Sequence, residues 1–344
     1  MEEYQQTQIF DFNNLNEAAD ILKAGGLVAF PTETVYGLGA IANNEAAVKR
    51  VFKVKGRPSD NPLIVHIANQ KQVDQYVASI NETAQQLMDL FWPGPLTIIF
   101  PAKEGVFASS ISAGRPTVSL RMPNQLETLL LIEMVGFPLV GPSANISGKP
   151  SPTKLEHVLH DFNGKIDGAV KAQTPQTLIG VESTVVIAEA DRIVILRPGA
   201  ITQDMLSQVG KPVVELSAQE QLENEGVQSP GVKYVHYSPK QPVYLVDASN
   251  AIRDWQVFIR SSKVKIGLLA DEEWLAVLQD EPMITQVYSL GKRDDIAKHT
   301  QELYAGLRYL EDTDCEIILV QGLAEQPSAH AYINRSNKAA NYII

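Results

Sequence analysis

Basic side chains cluster in the stretch KVKGRPSDNPLIVH, residues 53–66. Lys55 and Arg57 are separated by one residue, and Pro58 follows directly. Because proline disfavours helix at the residue before it, we expect the preceding helical stretch EAAVKRVFK to end near Arg57, with both cations in extended or irregular backbone. There, residues i and i+2 share a side. The pair is either a solvated basic loop or a site for an anion with several oxygens, bound by an ammonium and a planar guanidinium.

Two nearby apolar runs carry polar side chains. His66 is the polar residue of PLIVHI, either as a satisfied core histidine or as a histidine that faces a cleft and hydrogen-bonds a ligand. In TVSLRM, period-two alternation places Thr117, Ser119 and Arg121 on one face of a strand. That polar face indicates either ligand binding or exposure to solvent.

Two loops follow apolar strands. PTETVYGLGA, residues 31–40, lies where α/β sheets often bind ligands, but a tight turn with hydroxyls bonded to backbone is the simpler explanation of it alone. It contains neither usual nucleotide motif. In VGPSANISGKPSPTK, glycines and a proline keep Ser143 and Asn145 out of helix. Ser151 is expected to cap a helix that begins at Pro152, where free N–H groups also attract phosphate oxygens.

Composition excludes several classes of protein. The single cysteine, Cys315, rules out a disulfide framework and any cysteine-based zinc site. No apolar run approaches the roughly 20 residues of a membrane helix, and MEEYQQTQIF lacks a signal-peptide pattern. The sequence therefore predicts a cytoplasmic protein without a membrane partner.

The charge balance is acidic throughout, with a net charge of −11. Residues 1–200 carry 16 Lys and Arg against 20 Asp and Glu, and the remainder carries 13 against 20. Neither part has the basic excess of a protein that binds a phosphate backbone by charge, so tRNA is expected to bind weakly at most. A few converging cations would still suffice for a small polyphosphate.

The order of apolar and amphipathic stretches predicts two α/β domains. The first covers 10–200 and starts with a helix near Asn14 or Asn16. Residues 201–241 lack sustained periodicity and are rich in Gln, Glu, Ser, Gly and Pro, which indicates a linker. The runs PVYLVDA, VKIGLLA and CEIILVQG, with an amphipathic helix in DDIAKHTQELYAGLRYL, predict a smaller α/β domain over 242–344.

Eight motifs in order resemble those of the threonylcarbamoyl-AMP synthase family: PTETVYGLGA, KGRPSDNPLIVH, WPGPLT, SLRMP, GPSANISG, SPT, VESTVV and LRPG. The resemblance spans about residues 10–200, and SPGVKYVHYSP with the terminal domain matches the two-domain form. It implies a YrdC-type twisted mixed sheet with helices and a large concave cleft. A linker, as a possible lid over the active site, and a smaller Rossmann-like α/β domain would follow.

The same resemblance implies a nucleotidyltransferase reaction. Such enzymes make threonylcarbamoyl-AMP and pyrophosphate from L-threonine, bicarbonate and ATP, for the threonylcarbamoyladenosine modification of tRNA. Mg²⁺ is expected with ATP, with no protein ligand assigned to it and no structural metal. A downstream threonylcarbamoyl transferase complex would take the product.

The resemblance also assigns site residues. The K-x-R and S-x-N signatures, where phosphates and carbamate meet, are Lys55, Arg57, Ser143 and Asn145. The residues expected around L-threonine are Thr34, His66, Arg121 and Ser183. The residues expected around ATP are Arg57, Asn61, Thr117, Gly141, Ser143, Ser151, Arg197 and Tyr237.

Two alternatives compete with the synthase. Related YrdC-type domains are associated with double-stranded RNA, so a non-catalytic RNA- or tRNA-binding module is one; the acidic balance argues against it. The other is a carbamoyltransferase of hydrogenase maturation, which needs zinc-binding cysteine motifs that one cysteine cannot build.

Overall fold

The computed structural model describes residues 6–174, 176–223 and 237–344. The chain forms two compact units. The first comprises Met1–Ser147, Pro152–Thr177 and Glu182–Tyr234, and the second comprises Gly148–Ser151, Leu178–Val181 and Val235–Ile344. Across the described ranges, no helix combines the length and apolar character needed to cross a membrane.

The first unit is built on a mixed sheet, 11-stranded within the described residues, in the order β1-β8-β2-β3-β7-β4-β6-β5-β9-β10-β11. Its strands are β1 (Gln8–Phe10), β2 (Val28–Phe30), β3 (Gly37–Ile41), β4 (Ile64–His66), β5 (Leu96–Pro101), β6 (Thr117–Arg121), β7 (Leu139–Val140), β8 (Gly168–Val170), β9 (Thr184–Ala188), β10 (Ile193–Arg197) and β11 (Val213–Glu215). Its helices are α1 (Leu15–Lys23), α2 (Glu45–Lys55), α3 (Val73–Tyr76), α4 (Glu82–Phe91), α5 (Leu126–Val135), α6 (Leu155–Phe162), α7 (Gln203–Leu206) and α8 (Ala218–Glu223).

Helices cover both faces of this sheet. Along β2, Val28 and Phe30 pack into a cluster with α1 and α5, whereas Ala29 packs into a second cluster with α2, α4 and α6. Successive side chains of a strand point to opposite faces, so the two clusters lie on opposite sides. Burial on both faces explains why the strands are continuous apolar runs rather than alternating ones.

Most predicted elements are present, and α1 begins after Asn14 as expected. Two local predictions are wrong. GLGA is not a loop, because Gly37 and Gly39 lie in β3, where a Cβ at either would meet the Phe30 ring within 3.0 Å. Ser151 does not cap a helix, since α6 begins at Leu155 after Lys154.

Backbone pairing explains the late start of α6. The Pro152 carbonyl accepts from the Tyr36 N–H at 2.9 Å, and the Thr153 carbonyl accepts from the Thr177 N–H at 3.0 Å. These carbonyls are committed to neighbouring segments, so the chain stays extended past the proline.

The described part of the predicted linker is not structureless. It contains α7, β11 and α8, and β11 pairs in parallel with β10 at the edge of the sheet. The boundaries at residues 200 and 241 stay a prediction. The linker 201–241, predicted as a possible lid, includes residues 224–236, which lie outside the described residues.

The second unit has a five-stranded sheet in the order β14-β13-β15-β12-β16, with every described pair parallel. Its strands are β12 (Val243–Val246), β13 (Ile266–Ala270), β14 (Ile284–Ser289), β15 (Ile317–Gln321) and β16 (Tyr342–Ile343). Its helices are α9 (Ile252–Ser261), α10 (Glu272–Leu278), α11 (Ile296–Glu311) and α12 (His330–Ala339). The expected class, a large mixed α/β sheet followed by a smaller parallel α/β unit, is confirmed.

Candidate active site

Arg121 is a buried cation at the carboxyl end of β6. It pairs in register with His66 of the parallel strand β4. Its guanidinium donates through Nε to the Gly94 carbonyl at 3.2 Å and through Nη1 to Thr34 Oγ1 at 2.9 Å. The side chain is only 4% exposed, so the strand end presents a positive charge in a desolvated setting.

Glu33 balances the charge of Arg121 but does not accept from every N–H group of its guanidinium. Its Oε2 lies 2.7 Å from Arg121 Nη2, and both side chains are 4% exposed. The two groups are not aligned as a hydrogen bond, and among the described residues Nη2 has no hydrogen-bond partner. We take the short distance as a charge contact that leaves the Nη2 N–H groups available to an anion. Sequence reasoning missed Glu33, whose only signal was an acid between two threonines.

The turn TET positions Thr34. Thr32 Oγ1 donates to the Val35 carbonyl at 2.7 Å and accepts from the Thr34 N–H at 3.1 Å. The hydroxyl turn is therefore present. It is also what places the buried Thr34 hydroxyl on Arg121, so the structural and binding explanations of this stretch are compatible.

His66 is a neutral, incompletely satisfied histidine. It is 2% exposed, and within the described residues its Nδ1 has no hydrogen-bond partner. Burial, with the charge of Arg121 adding to it, lowers the pKa of His66 well below its ordinary value. A Cβ at Gly141 would lie 2.6 Å from Nδ1, so any other residue at this position would clash with the ring. The unpartnered nitrogen favours the ligand-facing alternative.

Lys55 is the last residue of α2, not part of an extended segment as predicted. Gly56 adopts the left-handed conformation with φ 63° and ends the helix there, so the proline is not what ends it. Lys55 is 2% exposed, and its Nζ donates to the carbonyls of Ser143 and Asn145, the latter at 2.6 Å. The two signature motifs are therefore in direct contact.

Arg57 lies in irregular backbone after Gly56, as expected. Its Nη2 donates to the Pro62 carbonyl at 3.0 Å, and its Nε to the Asn61 carbonyl at a long 3.4 Å. The Asn61 side chain is buried, and among the described residues its Nδ2 has no partner. The loop thus folds on itself and leaves an amide donor unsatisfied.

Ser183 and Arg197 form another buried pair. Arg197 donates through Nε to the Ser183 carbonyl at 3.1 Å and through Nη2 to Ser183 Oγ at 3.2 Å. Ser183 Oγ also bonds Thr97 Oγ1 at 2.8 Å. Thr97 is completely buried and was not singled out from the sequence, because PLTIIF reads as an ordinary apolar strand.

Four of these residues lie in one row across the five adjacent strands β4, β6, β5, β9 and β10. Arg121 is one residue beyond the Leu120↔Ile98 pair of the antiparallel strands β6 and β5. Thr97 pairs with Val185 of β9, which pairs with Arg197 of β10. His66, Arg121, Thr97 and Arg197 thus share one level of the sheet.

Thr117 is not at this level. It begins β6, four residues and roughly 13 Å from Arg121 at the usual strand rise. Ser119 between them is 6% exposed, so the solvent-facing alternative for this strand is wrong for its inner residues.

Ser151 and Tyr237 belong to the second unit. Ser151 is fully buried. Tyr237 has a positive φ of 72°, and its ring stacks on Tyr304 with centroids 5.2 Å apart. The Arg335 guanidinium carbon lies 5.8 Å from the Tyr237 ring centroid.

Comparison with known proteins identifies the family. Residues 20–199 match the family described as Telomere recombination, which comprises Sua5, YciO and YrdC proteins, and residues 201–341 match the threonylcarbamoyl-AMP synthase C-terminal domain. The chain is 42% identical to the threonylcarbamoyl-AMP synthase of Bacillus subtilis, over 94% of this chain and 92% of that protein. This chain belongs to the threonylcarbamoyl-AMP synthase family.

Other members are similarly close. The threonylcarbamoyl-AMP synthase of Pyrococcus abyssi is 39% identical over 95% of this chain and 94% of its own length. A crystal structure of Sua5 from the same organism, complexed with L-threonine, superposes with a TM-score of 0.89 at 38% identity, covering 98% of this chain and 99% of that one. The family resemblance therefore extends over both units.

Proposed function

We propose that this chain is an L-threonylcarbamoyladenylate synthase. It would join L-threonine, bicarbonate and ATP into threonylcarbamoyl-AMP and pyrophosphate, for the modification of tRNA. The observation that carries the proposal is the set of buried cations Lys55, Arg121 and Arg197, each at most 5% exposed, in a chain that matches the family along its length.

L-Threonine would be recognised by Thr34, His66, Arg121 and Ser183. The unspent Nη2 donors of Arg121 suit the amino-acid carboxylate, since a guanidinium binds carboxylates with parallel N–H groups. The neutral Nδ1 of His66 suits the threonine hydroxyl, because a neutral imidazole nitrogen can donate or accept. A site that hydrogen-bonds a hydroxyl discriminates strongly against analogues that lack it.

ATP would be bound by a second set of these residues. Arg57, Arg197 and the Asn61 amide would supply donors for phosphate oxygens. The Ser143 carbonyl accepts from Lys55, and Gly141 lies beside the His66 ring. The assignment of Thr117, Ser151 and Tyr237 to ATP rests on the family resemblance alone.

The reaction brings three anions together. The threonine amine first attacks the bicarbonate carbon and water leaves, giving a carbamate. A carbamate oxygen then attacks the α-phosphorus of ATP, and the bond to pyrophosphate breaks. Lys55, with Asn145 beside it, is placed to offset the repulsion among carboxylate, carbamate and phosphates. Positioning and electrostatics would then supply most of the rate.

We expect Mg²⁺ to enter this site as a companion of ATP. In the described part of the chain, no group of three or more His, Cys, Asp or Glu side chains could hold a metal. Asp60 and Glu182 are carboxylates near the motifs in sequence, and neither is assigned to the ion. When bound to ATP, Mg²⁺ neutralises phosphate charge while keeping mostly water and phosphate ligands. The protein cations would orient the same phosphates.

The product would pass to a downstream threonylcarbamoyl transferase complex in the cytoplasm. The net charge of −11 supports weak direct binding of tRNA at most.

The first experiment is pyrophosphate release with ATP, magnesium, L-threonine and bicarbonate, omitting each substrate in turn and offering serine for threonine. We expect release to require all three substrates, with a threonylcarbamoyl adduct of AMP detected by mass spectrometry. If the folded protein released no pyrophosphate, the result would favour the RNA-binding alternative. The affinity for RNA would then be measured as a function of salt concentration.

Lys55→Ala tests the anion site against a matched change two residues away. Lys53 is exposed on the same helix, so Lys53→Ala should keep normal turnover. Lys55→Ala should stay folded by circular dichroism and lose formation of the intermediate. Normal turnover by a folded Lys55→Ala protein would remove Lys55 from the mechanism.

A further inference from the structure

A cavity of about 450 Å³ opens in the second unit, and none of the residues assigned to the synthase reaction lines it. It lies at the carboxyl ends of β12 and β15. Residues 246–248 begin with the last residue of β12 and residues 321–324 with the last residue of β15, and both segments line the cavity. Its volume is within the range of sites that bury small organic ligands.

The topology of the sheet singles out this place. Strands β12 and β15 are neighbours. The chain leaves β12 through α9 to reach β13 on the far side of β15, whereas it leaves β15 through α12 to reach β16 on the far side of β12. The two connections depart in opposite directions, which opens a crevice between the strand ends. Open α/β sheets bind ligands in crevices of this kind.

The close approach of the two strand ends requires glycine. A Cβ at Gly322 would lie 2.4 Å from the Val246 carbonyl oxygen, whose hydrogen bond to the Gly322 N–H joins the segments at 2.9 Å. The spacing of the two strand ends at the crevice is therefore fixed by backbone contacts.

The floor is aromatic. Trp255 is 2% exposed, and its ring packs against Trp274 with centroids 4.8 Å apart at 49°. Both rings line the cavity, together with the buried Val246. Tryptophan faces provide a large apolar contact for a flat ring.

The rim is polar with an acidic excess. Asp247, Arg293 and Asp294 line it, giving two carboxylates against one guanidinium. Arg293 donates through Nε to Asp271 Oδ2 at 3.2 Å, and the described residues offer no partner to its Nη1 and Nη2. Ser249 donates to Asp247 through its hydroxyl and its N–H, which lowers the pKa of that carboxyl and keeps it ionised at neutral pH.

We propose that this crevice is a second ligand site, and that it takes a nucleoside without a charged polyphosphate chain. The base would lie on the tryptophan floor, and ribose hydroxyls would donate to Asp247 and Asp294, as carboxylates accept from sugar hydroxyls in other α/β folds. The excess negative charge disfavours phosphates. Adenosine should therefore bind more tightly than AMP, and AMP more tightly than ATP, which is the reverse of the order expected at the synthase site.

The test is ¹⁹F NMR of the full chain labelled with 5-fluorotryptophan. The protein has three tryptophans, of which Trp92 lies in the first unit and Trp255 and Trp274 in the second. Trp→Phe variants assign the three resonances. Adenosine at millimolar concentration should shift those of Trp255 and Trp274, AMP should shift them less, and ATP least. Shifts confined to Trp92 would place adenosine in the first unit and overturn the proposal.

Charge variants separate this site from a general effect on the fold. Asp247→Asn combined with Asp294→Asn should weaken adenosine binding at least tenfold and reduce the preference for adenosine over AMP. Asp280→Asn removes an exposed carboxylate outside the cavity and should change neither. The proposal fails if the double variant binds adenosine like the parent chain, or if ATP shifts the two resonances as strongly as adenosine does.

Discussion

Arg121→Lys is the sharpest test of the threonine site. Lysine keeps the positive charge opposite Glu33 but has one nitrogen, so it cannot also reach the Gly94 carbonyl and Thr34 Oγ1. A hydrogen bond to a charged group contributes about 1.5–3 kcal/mol. If repacking restores one of the two lost bonds, the free energy of unfolding falls by about 1.5–3 kcal/mol, which lowers the Tm by roughly 3–12 °C.

The same change should weaken L-threonine binding more than the loss of stability requires. Loss of one charged hydrogen bond to the amino-acid carboxylate corresponds to a Kd that is roughly 10- to 150-fold higher. Isothermal titration calorimetry measures this below the Tm of the variant. Arg192→Lys is the control, because Arg192 is exposed and bonds only its neighbour Glu189, so both quantities should stay at their parental values. An Arg121→Lys protein that binds L-threonine within twofold of the parent would refute the assignment of Arg121 to the carboxylate.

Three other changes probe the neighbours of Arg121. Glu33→Gln leaves the Arg121 guanidinium buried without its counter-charge, so the free energy of unfolding should fall by about 3–5 kcal/mol. L-Threonine should raise the Tm of this variant more than that of the parent. An equal rise in both proteins would contradict the charge-balancing role of Glu33. His66 has a lowered pKa in the folded state, so the stability it confers is complete above its unfolded pKa of about 6.5 and is lost as the pH falls below it. His66→Asn should accordingly reduce the slope of urea-unfolding free energy between pH 7 and pH 5, by at most about 1.4 kcal/mol per pH unit, and unchanged slopes would show that another group titrates. Gly141→Ala should lower the free energy of unfolding by about 1–3 kcal/mol, because the added methyl group would overpack against His66 and Phe30. Parental stability in chemical denaturation would mean that the backbone at residue 141 shifts without strain.

The central strands were predictable because burial on both faces gives short apolar runs. The runs around β4, β10 and β13 give this signal, whereas period-two alternation indicates β6. Polar interruptions inside them, His66 and Arg121, also gave a usable signal, since a charged or titratable side chain in a buried strand needs a reason to be there. The edge strands β1, β11 and β16 are two or three residues long, too short for periodicity to register.

The sequence alone does not reveal which residues far apart in the chain contact each other in the fold. Pro58 predicts an extended segment that includes Lys55. In the structure, the helix continues to Lys55 and ends at Gly56, whose left-handed conformation the sequence pattern does not reveal. Glu33 and Thr97 reach the site only through partners nearly 90 residues away, Arg121 and Ser183. No spacing rule links such positions, so contacts of this range emerge only from the folded sheet.

The row that joins β4, β6, β5, β9 and β10 has a consequence for how the protein is made. Its members come from chain segments between His66 and Arg197, and the middle strands pair out of sequence order. A ribosome must therefore release β10 before the complete row can form. Pairings between distant segments form slowly, because the loops between them must close first. Shorter nascent chains that lack Arg197 would carry His66, Thr97 and Arg121 without the guanidinium that completes the row, so we expect substrates to stabilise the fully assembled site only once nearly the whole first unit has emerged.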